Sequence, residues 1–213
     1  MQLKFIQTQS KMKASYQVLQ NELLVYNADI PLNFSGQKFS LNKNDHLLYS
    51  LSLDRAESMA NIIKSTTLDR HFPYNIFDEY GESVGDICSK RTRFFWGYSY
   101  FELRLNNHTY TIYEVCCGKQ GIKIPIYDGS EQIAIIEKGV TTYDNKDSYE
   151  ITSKDECSAE IAVLFNVYYD FDKYGNYGEY AYKSKEISYS YTLNKELKSK
   201  YNKEFKAKIT PGV

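Results

Sequence analysis

The chain has 213 residues, enough for one large β domain or two small ones. Its 26 basic and 27 acidic side chains leave a net charge of −1, so no global field directs it to nucleic acid. It carries 21 tyrosines, whose rings pack while their hydroxyls stay wet, a composition suited to half-buried strands. No run of 18 apolar residues exists, and Met1 to Gln7 lacks the apolar core of a signal peptide. A cytoplasmic protein without a membrane span is therefore expected. The four cysteines, Cys88, Cys116, Cys117 and Cys157, lack C-x-x-C spacing and are expected as reduced thiols without a structural zinc.

Taken in order, residues 3–6 and 12–19 read as strands, with a turn at Gln20-Asn21-Glu22 and a return over Leu23 to Tyr26. Residues 31–44 are polar and read as a loop, and Leu47 to Leu53 as a strand. Asp54 with Glu57 predicts a short helix to about Lys64, with Met59, Ile62 and Ile63 on its buried face. A pattern then recurs. Ile76-Phe77-Asp78-Glu79-Tyr80-Gly81 leads into Val84 to Ile87, and Ile126-Tyr127-Asp128-Gly129 into Ile133 to Ile136. Each sets an aromatic-Asp pair before a glycine turn and a second apolar strand. Leu103 to Asn107 followed by Thr109 to Val115 forms another hairpin. Residues 139–152 continue with Val140 to Tyr143, an Asp-rich turn and Tyr149 to Ile151. Hairpins this closely spaced predict a closed or sandwich-like antiparallel β domain.

Ile161 to Tyr169 is uncharged, with Asn166 its one strongly polar residue. Ser153, three residues before Glu156, forms a capping-box signature, so a helix over about 154–170 is favoured over a buried strand. Apolar on nearly every face, such a helix must be surrounded, and it is too short for a membrane span. A strand is expected from Tyr180 to Tyr191. Leu193, Leu197, Tyr201, Phe205 and Ile209 then recur every four residues, predicting an amphipathic helix capped by Asn194. With six lysines and two glutamates, Lys195 to Ile209 carries +4. Docking of its apolar stripe on the domain is preferred to lying on a membrane.

Hairpins followed by one apolar helix resemble the tubby C-terminal-like fold, shared by tubby-like, phospholipid-scramblase-like and LURP-one-related proteins. The residues that carry the resemblance are Tyr74 to Gly85, Ile126 to Gly129 and Ile161 to Tyr169, within residues 1–172. The resemblance implies a closed antiparallel barrel of about twelve strands around a central hydrophobic helix. Residues 173–213 depart from it, as a C-terminal extension of a strand and a basic helix packed on the same domain. It also implies phosphoinositide or phospholipid headgroups as ligand, but no local motif transfers the family's binding residues.

Among individual sites, Gly81-Glu82-Ser83-Val84-Gly85 matches G-x-S-x-G, yet the residues after it read as a returning strand. A serine hydrolase, with His108 as base, is thus the weak alternative. Asp170 to Asn176 begins like a calcium loop, but its twelfth position is Ala181, so a turn is expected. His46, His71 and His108 have no ligand spacing. Lys90, Arg91 and Arg93 precede Phe94-Phe95-Trp96 and are the candidate contacts for phosphate headgroups, against the plainer reading of a solvated hairpin tip. The expectation is a non-enzymatic binding domain with no metal and no cofactor. Its partner is an anionic phospholipid surface or, alternatively, another protein. A small apolar ligand inside the barrel is a third reading, disfavoured because a helix there leaves little room.

Overall fold

The computed structural model describes residues 1–10, 13–31, 38–53, 74–92, 97–140, 146–174 and 190–209. Thirteen strands form one antiparallel sheet: β1 (Gln2–Ser10), β2 (Ala14–Gln20), β3 (Leu23–Ile30), β4 (Lys38–Lys43), β5 (His46–Leu53), β6 (Tyr74–Phe77), β7 (Ser83–Arg91), β8 (Ser99–Leu105), β9 (His108–Ile112), β10 (Val115–Cys116), β11 (Ile122–Asp128), β12 (Glu131–Lys138) and β13 (Ser148–Ser153). Neighbours in sequence pair around the ring except β9 and β10, β1 also pairs with β13, and β9 closes on β11 through Ile126↔Ile112 to Asp128↔Tyr110. The short β10 continues β9 along β11, so the closed ring has twelve strands. This is the predicted fold class.

Period-2 burial turns one side chain in two inward. Leu3 and Phe5 of β1, Tyr16 and Val18 of β2, and Ile124 and Ile126 of β11 are among the inward set. The turns follow from sequence. Asn21-Glu22, Asn44-Asp45 and Asn106-Asn107 each hold two consecutive positive φ angles, the signature of two-residue type I′ hairpins. The recurring aromatic-Asp-glycine pattern is also turn chemistry. Asp78 Oδ1 accepts the N–H groups of Tyr80 and Glu82 at 3.0 and 2.8 Å, and Gly81 takes φ +82°. Bulges at Val25 of β3, Leu48 of β5, Val84 of β7 and Ile133 of β12 fall just after these hairpin turns and increase the local bend that closure requires.

Helix α1 (Glu156–Tyr174) lies inside. Every residue from Ile161 to Phe171 is buried. Its rings meet Phe39 of β4, Tyr74 of β6 and Phe101 of β8, while its carboxylates accept from Tyr16, Tyr49 and Tyr149 of β2, β5 and β13. A helix touching strands all round the ring is central to it. A twelve-stranded ring is too wide for strand side chains alone to fill, and a helix about 10 Å across supplies the missing volume.

Three local expectations change. The predicted cap, Ser153, is the last residue of β13, exchanging hydrogen bonds with Met1. The cap is Asp155, whose Oδ1 accepts the Ser158 N–H at 2.8 Å. Part of the predicted 31–44 loop is strand β4, hydrogen-bonded to both β3 and β5. The single amphipathic helix is two short ones, α2 (Lys195–Ser199) and α3 (Phe205–Ile209). Between them Asn202 Oδ1 accepts the Glu204 N–H at 2.9 Å, a local turn that competes with helix. The predicted 54–64 helix, residues 141–145 of the strand and turn predicted around Tyr143, and nearly all of the 180–191 strand lie outside the described residues.

Candidate functional site: a closed interior and an outer basic face

The interior is occupied by side chains, and its polar groups face one another. Tyr16 and Tyr149 donate their hydroxyls to Asp170 of α1 at 2.7 and 2.6 Å. Burial, reinforced by that carboxylate, pushes both phenols well above their ordinary pKa and keeps them as donors. Beside them the buried Lys138 ammonium pairs with the buried Asp147 and stands 4.4 Å over the Tyr149 and Tyr174 rings. Asp147 also donates its N–H to Gln7 Oε1. This network closes one end of the core, and Asp170 belongs to it rather than to a calcium loop. Asp170 to Tyr174 are helical, which rules out the loop geometry over those residues. Cavities of 530, 440 and 410 Å³ open at the rims and outer wall.

Ser83 is the first residue of β7, opposite Phe77 of β6 in a hairpin. The strand-to-helix turn of a nucleophile elbow is not formed, and both motif glycines have backbone reasons. Gly81 supplies the positive φ, and a Cβ at Gly85 would stand 2.0 Å from the Arg104 carbonyl oxygen of β8. All four cysteines are free thiols, and no cluster of three His, Cys, Asp or Glu side chains suited to a metal occurs among the described residues. His46 and His108 are exposed at separate hairpin turns. His71 lies outside the described residues.

Two of the three candidate headgroup residues are described. Lys90 pairs with Glu102 of β8 and its pKa is raised, first by that hydrogen bond. Arg91 is exposed at the end of β7, and Arg93 lies outside the described residues. More free positive charge sits on the C-terminal segment. Thr192 exchanges hydrogen bonds with Cys116 of β10, and Tyr191 bridges to Cys117, which brings the segment onto the barrel wall. Asn194 caps α2 by accepting the Leu197 N–H at 3.0 Å, as its sequence position predicts. Leu197 packs with Tyr98 and Val115, and Phe205 of α3 is buried, so the apolar stripe is docked. Tyr127 fixes the Lys200 carbonyl at 2.7 Å.

Charges then sort themselves. Lys206 binds Glu137 and Glu150 at 2.8 and 2.9 Å. Burial raises Glu137, but Lys123 and Lys206 more than offset it and hold the carboxyl below its usual range. Glu196 accepts from Tyr98, and Glu204 pairs with Lys208. Lys195, Lys198 and Lys203 are exposed and form no ion pair among the described residues, nor does Lys119 of the 3-10 turn Gly118–Gln120. Burial raises the Cys117 thiol, while Lys123, Lys198 and Lys203 pull it down. Just before α2 on the same segment, Leu193 is 92% exposed and Tyr191 63%. The sequence showed the lysines; which of them are left free depends on partners supplied by β12 and β13. Compared with protein-family models, with curated proteins and with solved structures, the chain matches none.

Proposed function

We propose that the protein is a non-enzymatic binding domain of tubby-like type that takes anionic phospholipid headgroups, phosphoinositides among them, on its outer surface. A barrel filled by its own helix leaves binding to the outside. The observation that carries the reading is the pairing of free Lys195, Lys198 and Lys203 with the exposed Leu193 and Tyr191. Ammonium groups neutralise phosphate while an apolar and an aromatic side chain enter the interface. Arg91 adds a further exposed cation, whereas Lys90 would have to leave Glu102 to take part.

Each lysine near an anionic surface contributes about 1 kcal/mol. In vesicle flotation at low salt, the protein is expected to float with phosphatidylserine- or phosphoinositide-containing vesicles and not with neutral ones. Reversing Lys195, Lys198 and Lys203 to Glu removes the binding, and raised salt weakens it. Equal, negligible binding to neutral and anionic vesicles contradicts the reading.

A further inference from the structure

The five tight turns β2–β3, β4–β5, β6–β7, β8–β9 and β11–β12 all lie on one rim, together with the start of α1. Lys43 of β4 reaches Glu156 and Glu160 there, and Lys154 reaches Glu131. Residues 20–24, 43–48, 78–82, 106–108, 128–131 and 154–160 form this rim. They hold ten acidic side chains and two lysines, a side-chain charge of −8 in a protein of net −1. Both lysines of these stretches are paired, and Lys206 of α3 borders the β2–β3 tip across the 530 Å³ cavity.

Hairpin tips ordinarily expose polar residues, yet these expose apolar ones. Leu23 is 72% and Tyr80 82% exposed, and Leu24 and Leu47 are exposed as well. Leu23 and Leu24 are both exposed, next to the bulge at Val25. Leu47, Leu48 and Tyr80 line a groove of 410 Å³ whose wall includes Glu79. The β2–β3 tip adjoins it through Tyr26↔Lys43.

We propose that this rim is a docking surface for a cationic segment of a partner protein in which lysine or arginine alternates with apolar side chains. The apolar side chains fill the groove between the β4–β5 and β6–β7 tips, and the cations meet Glu79, Glu82 and Asp45 beside it. Charge complementarity selects this occupant, because an anionic membrane or an acidic protein is repelled by the same field. The inference is independent of the lipid reading, which uses the C-terminal segment.

The test is fluorescence anisotropy with a labelled peptide of alternating lysine and leucine, against one with glutamate replacing lysine. The full chain should bind the first and not the second. Two exposed-site variants, Leu47→Ser with Tyr80→Ser and Glu79→Gln with Glu82→Gln, should each weaken binding roughly tenfold or more, with unfolding midpoints unchanged. Glu196→Gln, beside Tyr98 at the opposite end of β8 from the rim, should leave binding as it is. Equal binding of both peptides, or undiminished binding by both rim variants, overturns the proposal. So does concentration-dependent self-association in sedimentation that Leu47→Ser abolishes, since the rim would then serve a second copy of the chain.

Discussion

Inside the barrel, single polar groups decide how much stability the filled core delivers. Asp170 is buried and takes hydroxyls from two strands, Tyr16 and Tyr149, so it ties α1 to β2 and β13. Asn166 is the contrast: it is fully buried and neither its amide oxygen nor its nitrogen has a hydrogen-bond partner among the described residues. An unmet buried amide costs about 1–3 kcal/mol. Asn166→Leu, of similar volume, is therefore expected to raise unfolding stability by about 1 kcal/mol or more in urea titration. At the helix entry, the Ser158 N–H holds the Asp155 carboxyl below its ordinary range. A carboxyl depressed in the fold stabilises above its unfolded pKa of about 4, and that contribution is lost as pH falls through the folded value. Asp155→Asn keeps a cap oxygen without the charge, so its stability should follow the parent's less steeply through the acid limb. Asp155→Ala should cost about 1 kcal/mol at neutral pH. The cap was only partly legible: Ser153 and Asp155 are both cap-competent, and the pairing of Ser153 with Met1, 152 residues away, decides between them.

At the scale of elements, α1 could be read from its sequence because an uncharged run with a cap signal has one comfortable environment, the middle of a core. Leu164 is fully buried at its centre. Leu164→Asp places an unpaired charge there and is expected to cost several kcal/mol and abolish the cooperative unfolding transition seen by circular dichroism. Elements with weaker patterns were less legible. Strand β4 hides in a polar stretch because only Phe39 and Leu41 face inward; Asn44-Asp45, which joins it to β5, was the signal that locates it. The four-residue spacing after Leu193 implied one helix, but Asn202 turns the chain locally and splits it. Leu193 itself is exposed rather than part of the docked stripe.

Across the whole molecule, the near-zero net charge conceals a separation. The tight-turn rim carries −8, whereas the C-terminal segment over residues 195–209 carries +4 from six lysines and two glutamates. Charge totals read along the chain show only the second of these, since the rim assembles from six stretches that closure of the ring brings together. The lipid-facing and partner-facing surfaces proposed above thus repel opposite classes of ligand. Both assignments depend on an interior that is spent on packing. Native-state hydrogen exchange of the α1 amides tests that directly. With the helix enclosed by twelve strands, residues 161–171 should exchange only through global unfolding, with the same free energy as the slowest amides of β1 and β13. Exchange of these amides through local opening, while the strands stay protected, would contradict a barrel built around its own helix.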